Sequence, residues 1–342
     1  MRPAGIVFSI CGEQSLPLTF DRTVAAIPFA CRYRLVDFSL SMMVAAGVTD
    51  VFIVADRNYR SLSDHIGSGK DWDLARRRGG IRLVTPFRTV APGIRPRAFG
   101  STSEAFFGMR RDLEALPHKE LVLARGDLVA NIDLSSALAR HREVRASCTA
   151  VLACRGEGEG LDLGVRILDR ECLLALLSEA ERHPERDLFT QPSIAPTGAN
   201  VFLHTGYASF PGSLEEYFNE SISLTRREDV MRALFCEPGR PVLTKVHSSS
   251  PVSYRGNCHV RASMVADDCV IEGTVENSIL FRGVRIGRGA TVKDSILFGG
   301  AYVGEGSMLS STVAEKNAVV GDGRLLSGHE TMPLYIPKDR KV

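Results

Sequence analysis

Apolar and polar positions fall into two regimes along this chain. As far as about residue 240, apolar runs of strand length alternate with stretches of helical spacing. Beyond residue 256 the apolar residues come in short groups that recur about every six. Gly5-Ile-Val-Phe-Ser-Ile10 predicts a buried strand that enters a turn and leaves, through Arg32-Tyr-Arg-Leu-Val-Asp-Phe38, toward a helix over 38–46 that stops at Gly47. Strands are predicted over 48–54, 81–84, 121–125 and 148–154, with a Pro-rich loop at 86–96. Ser101-Thr-Ser-Glu104 offers a capping box for a helix reaching Leu116, and Asp133 a cap for a helix over 134–145. Strands alternating with helices imply a mostly parallel sheet covered on both faces.

From Asn257 the chain divides into sixes: NCHVRA, SMVADD, CVIEGT, an insertion of Val275-Glu276, then NSILFR, GVRIGR, GATVKD, SILFGG, AYVGEG and SMLSST. Small residues open each unit and aliphatic residues follow, which is the pattern of a parallel β-helix. The division is therefore an α/β domain over 1–245 and a β-helix domain over 246–342, with a linker near 244–254. The open ends and flat faces of a solenoid favour oligomer contacts.

Composition narrows the function. The 42 Lys and Arg nearly balance the 40 Asp and Glu, so bulk charge points to neither a nucleic-acid nor a membrane-surface partner. Eight cysteines, at 11, 31, 148, 154, 172, 236, 258 and 269, show no zinc spacing and read as reduced, mostly buried thiols. No stretch approaches the length of a membrane span, and the expected location is the cytoplasm.

Ligands of such sheets bind beyond the carboxyl ends of the strands, which puts Gly12, Gln14 and Asp127 along one rim. The first turn sits where a phosphate loop belongs, yet between Phe8 and Thr19 only Gly12 lacks a side chain. Gly67-Ser-Gly-Lys-Asp71 mimics half of a P-loop but has Asp64 and Asp71 where a glycine and a Ser or Thr are needed, so it reads as a surface loop. Trp72 reads as a packing residue, Arg76-Arg-Arg78 as a solvated face.

The whole arrangement, with Pro28-Phe-Ala-Cys-Arg-Tyr-Arg-Leu-Val-Asp-Phe-Ser-Leu-Ser41 near its front, resembles the ADP-glucose pyrophosphorylases, or glucose-1-phosphate adenylyltransferases. His65-Ile-Gly-Ser-Gly-Lys-Asp-Trp-Asp-Leu-Ala-Arg76, Val270-Ile-Glu-Gly-Thr-Val-Glu-Asn-Ser278 and Leu334-Tyr-Ile336 resemble the GlgD-type subunits of bacterial glycogen synthesis. The resemblance implies a Rossmann-like nucleotidyltransferase domain followed by a left-handed parallel β-helix. It also implies a catalytic partner that joins ATP and glucose 1-phosphate into ADP-glucose and pyrophosphate.

Against that family the site looks dismantled. The loop Gly-Gly-x-Gly-x-Arg-Leu falls on Ser9, Ile10, Gly12, Gln14 and Ser15, so its arginine is gone. Val24 stands for a phosphate-binding lysine, and Ser101-Thr102-Ser-Glu-Ala105 for Gly-Thr-Ala-Asp-Ala beside the adenine. Gly126 and Asp127 match the Gly-Asp pair that carries the first magnesium carboxylate, but Phe210 replaces the second, and phenylalanine cannot bind a hard cation. The segment 155–160 is too short for the family's sugar-phosphate lysine motif.

Losing one charge stabiliser costs about 10² to 10³ in rate, and five departures point one way. Gln14, Val24 and Phe210 are thus vestigial catalytic positions, Gly12, Thr102 and Gly126 vestigial nucleotide positions, and Asp127 a doubtful Mg²⁺ ligand. Arg22 and Arg34 match two positions that bind effector phosphates between the domains, while Asp21 and Pro28 replace two others.

The implied role is a regulatory or structural subunit, non-catalytic or very weakly active, in a heterotetramer with a catalytic homologue; homo-oligomers are the alternative assembly. ATP, ADP-glucose or a phosphorylated effector are the expected ligands. An altered transferase that still uses Asp127, and a sugar-phosphate or nucleotide sensor without catalysis, are the other readings. Asp127 as a plain cap, Arg22 and Arg34 as ion-pair partners, and His259 or His329 as an acyltransferase base stand beside them.

Overall fold

Seven strands make the first sheet: β1 (Ala4–Ser9), β2 (Asp50–Ala55), β3 (Gly80–Val84), β4 (Glu120–Arg125), β5 (Cys148–Arg155), β6 (Glu159–Asp169) and β7 (Asn200–His204). The computed structural model describes residues 2–10, 16–77, 79–86, 99–155, 159–189 and 200–342. Cys11, Gly12, Gln14, Ser15, Arg78 and most of the Pro-rich loop lie outside the described residues.

The strand order is β7-β5-β6-β4-β1-β2-β3, and every neighbouring pair is parallel except those of β6. β6, which the sequence pattern did not reveal, runs antiparallel to both β4 and β5. The reason is chain length: Arg155 pairs with Glu159, and so short a connection cannot make the crossover that parallel strands require.

Helices cover both faces as expected. Leu40 of α1 (Leu35–Ala45), Leu62 of α2 (Arg60–Ile66) and Leu138 of α5 (Leu134–Glu143) pack on one side. Phe106 of α3 (Thr102–Gly108), Leu113 of α4 (Arg110–Glu114) and Leu173 of α6 (Arg170–Arg182) pack on the other. Helix α1 begins before Phe38 because the Asp37 carboxylate accepts the Arg34 backbone N–H at 2.9 Å. Ser101 caps α3 through the Glu104 N–H, but the helix breaks at Met109 instead of running to Leu116. Asp133 caps α5 as anticipated. Two further helices, α7 (Leu214–Ser223) and α8 (Glu228–Phe235), follow the sheet.

The C-terminal part is a three-sided solenoid of parallel strands, five on each face. Its register differs from strict sixes. Val260, Val275, Val292, Leu309 and Leu326 stack directly on one face, so that most coils take 17 residues and one takes 15. Val275 is not an insertion but a fully buried inward residue, and the chain is two residues short there. A hydroxyl ladder keeps the same register: Ser263 Oγ accepts the Ser278 N–H, Ser278 Oγ that of Ser295, and Ser295 Oγ that of Thr312.

One face of the solenoid is spent inside the molecule. Ile279, Phe281, Ile296, Phe298 and Val313 join one apolar cluster with Leu18, Ile27, Phe29, Tyr217 of α7 and Leu234 of α8. Tyr217 Oη donates to the Pro28 carbonyl at 2.6 Å. The linker is also fastened, since the Leu243 N–H donates to Ser41 Oγ and Lys245 Nζ to the Asp64 carbonyl.

Residues 67–71 contain no phosphate cradle; Lys70–Trp72 is a 3₁₀ turn that buries Trp72 edge-on against His65, 5.5 Å between ring centres. Among the described cysteines, Cys31, Cys148, Cys172 and Cys269 are buried, Cys258 is partly exposed, and Cys154 and Cys236 are exposed; all are free thiols. No described helix is long and apolar enough to cross a membrane.

Candidate functional site

At the sheet rim the carboxyl ends of β1 and β4 meet a 3₁₀ turn, Val24–Ala26. Ser9, the first residue of the aligned loop, is buried and its Oγ accepts the Ala25 N–H at 3.1 Å. Gly126 donates its N–H to the Phe8 carbonyl, and a Cβ there would sit 2.8 Å from the Ala25 Cβ. Its missing side chain is needed for this packing whether or not a nucleotide is bound. Val24 belongs to the apolar cluster that joins the two domains, which accounts for an aliphatic residue where the family has lysine. Thr102 Oγ1 accepts the Leu188 N–H at 2.7 Å and donates to Asp187, so its hydroxyl is engaged within the chain.

Asp127 carries the most consequential contact on this rim. Both carboxylate oxygens are held by the Arg125 guanidinium, Oδ1 by Nε at 2.9 Å and Oδ2 by Nη2 at 2.6 Å. The opposite face of the problem is Phe210, whose ring lies 4.5 Å from the Arg125 Cζ. Burial works against the Arg125 charge, but Asp127, with Asp187 and Asp162 nearby, pushes its pKa up overall. A hard divalent cation needs several oxygen ligands. Here one carboxylate is already neutralised by a bidentate guanidinium and the second position is an aromatic ring. These residues do not fit a magnesium ion.

A large concavity lies elsewhere, between the α/β domain and the solenoid. This cleft of about 850 Å³ is lined by eight lysines and arginines against Asp21, Asp64 and Asp268. Arg22 and Arg34 both line it, but they differ in what they hold.

Arg22 is 8 % exposed and makes a bidentate pair across the domains with Glu315, at 2.5 and 2.8 Å, while donating to the Leu18 carbonyl. It is an interdomain ion-pair residue. Among the described residues, the Arg34 guanidinium has the Ala26 carbonyl and the Ser61 carbonyl and hydroxyl as its hydrogen-bond partners. Burial, reinforced by the nearby Arg22 charge, pushes its guanidinium down to about 10. Among the described residues, Arg32, Arg60, Arg282 and Lys316 on the same walls have no carboxylate within ion-pair distance of their side chains. Burial and the neighbouring Arg282 and Lys245 charges also lower His247. The cleft is a basin of positive potential with little internal compensation, suited to a multiply charged anion.

Comparison with known proteins agrees with this two-part layout. Residues 11–186 match the nucleotidyl transferase family and residues 250–330 the GlmU-like C-terminal hexapeptide family. The glycogen biosynthesis protein GlgD of Geobacillus stearothermophilus is 38% identical over 80% of this chain and 78% of its own length. GlgD of Bacillus subtilis strain 168 is 34% identical, covering 83% and 81%. The chain belongs to the GlgD glycogen biosynthesis proteins. Glucose-1-phosphate adenylyltransferases are more distant relatives, that of Clostridium perfringens strain 13 being 24% identical over 80% of this chain and 77% of its own. A GlgD-type subunit related to ADP-glucose pyrophosphorylase is thus the frame for every residue above.

Within that frame sequence reading passed over Arg125 and Glu315. Arg125 had a signal, as the sole charged residue inside the apolar run 121–125 immediately before Gly126-Asp127. Glu315 had a weaker one, an acid following the aliphatic Thr312–Ala314 strand.

Proposed function

We propose that this GlgD-type chain is a regulatory and structural subunit rather than a synthase. It assembles in the cytoplasm with a catalytic glucose-1-phosphate adenylyltransferase, expected as a heterotetramer, and senses a phosphorylated effector in the interdomain cleft. The observation that supports this reading best is the contrast between two sites of one chain. On the rim, Asp127 is neutralised by Arg125. In the cleft, Arg32, Arg34, Arg60, Arg282 and Lys316 stand without carboxylate partners among the described residues. An anion such as a sugar phosphate supplies the charge they lack. ATP and ADP-glucose are the nucleotide alternatives for that cleft.

The test mixes the purified chain with the adenylyltransferase of the same cell and measures ADP-glucose synthesis, particle mass and effector response. The expected result is negligible synthesis by the chain alone, together with a larger assembly whose response to phosphorylated metabolites differs from that of the catalytic subunit. Robust synthesis by the chain alone, or a mixture indistinguishable from the catalytic subunit in all three measurements, would refute the proposal.

A further inference from the structure

The disagreement between the rim and a metal ion has a specific author among the side chains. We infer that Arg125 is a built-in cation that takes the seat a divalent metal occupies in catalytic relatives, and that this guanidinium, more than the missing carboxylate, keeps metal out.

Three positions fit one another around it. Asp127 meets the guanidinium edge through two hydrogen bonds of 2.9 and 2.6 Å. Phe210 meets its face at 4.5 Å, where the electron-rich ring stabilises a cation. Gly164, with φ +60°, leaves the path for the stem: a Cβ at that position would stand 2.3 Å from the Arg125 Cδ. Its N–H is in turn anchored on Asp162 Oδ1 at 2.8 Å. A guanidinium with a bidentate partner on its edge, a ring on its face and a cleared stem is a formed cation site whose occupant is covalently attached. The inference uses the alignment of Asp127 and Phe210 with the two metal carboxylates; it does not depend on the regulatory role proposed above.

Mn²⁺ alone is the probe, with its binding to the full-length chain followed by the loss of the free-ion electron paramagnetic resonance signal. Four proteins are compared: wild type, Asp127→Asn, Phe210→Asp, and the double variant Arg125→Ser/Phe210→Asp.

If Arg125 is the occupant, wild type binds Mn²⁺ no better than Asp127→Asn. Phe210→Asp alone gains little, because Arg125 then bridges two carboxylates. The double variant gains at least tenfold in affinity. Three results overturn the inference: wild-type binding that Asp127→Asn abolishes, a Phe210→Asp gain equal to that of the double variant, or a folded double variant with no gain. Should the double variant fail to fold, the other three proteins still decide, since wild-type binding that Asp127→Asn abolishes, or a Phe210→Asp affinity tenfold or more above wild type, overturns the inference without it. None of these readouts depends on partner assembly, so the inference and the proposed function can fail separately.

Discussion

At Arg22 the energetic question is what becomes of a guanidinium that is 8 % exposed once its partner is taken away. Removing one member of a buried pair leaves an uncompensated charge, at a cost of about 3–5 kcal/mol. Glu315→Ala should therefore lower the urea unfolding free energy by about that much, whereas Arg22→Met/Glu315→Leu should be close to neutral. Equal losses in the two proteins would show that the charge itself is not what matters. The same pair marks the limit of what sequence could tell about Arg22. A basic residue soon after the first turn was readable, but its partner lies 293 residues away in sequence. For Arg34 the sequence left an ion pair and a ligand contact equally open, and its partners among the described residues are backbone and hydroxyl groups that no local pattern announces. At the rim Asp127 and Phe210 were readable by alignment, and the Arg125 that unites them was not.

Among the elements, the solenoid coil is where a one-residue judgement has the largest consequence. Val275 is buried inside the solenoid, paired with Val292 on one side and the exposed Val260 of the first coil on the other, and its neighbour Glu276 faces out toward Arg261. Val275→Asp puts a carboxylate into that column and should destabilise the chain by more than about 3 kcal/mol. Glu276→Ala should change stability by less than about 1 kcal/mol. Urea unfolding of the two proteins separates a coil position from a turn insertion, in which both substitutions would be mild. Local signals carried most elements: the caps at Ser101 and Asp133 and the apolar runs of β1 and β2 announce themselves in a few residues. β6 did not, because its identity as a central antiparallel strand rests on pairing with Cys148–Arg155 and Glu120–Arg125, not on its own pattern. Coil length was misjudged for a related reason. Inward positions follow one another by four to six residues, and only the stacking of Ser278, Ser295 and Thr312 fixes the sum.

For the whole molecule the apolar seam decides how many units there are. Phe298 and Ile296 of the solenoid share one cluster with Phe29, Tyr217 and Leu234 of the α/β part, and the Arg22–Glu315 pair closes it. Interfaces this apolar couple their two sides, so unfolding in a calorimeter should give one endotherm with a calorimetric to van't Hoff enthalpy ratio of about one. Two resolved endotherms would contradict the coupling. Trp72, earlier only a packing residue, has a further consequence at this scale. It is the sole indole among 342 residues, and it lies edge-on against His65, which lines the interdomain cleft. The chain thus carries its own optical gauge: its entire tryptophan emission originates one side chain away from the cleft wall, with no second fluorophore of that kind to dilute it.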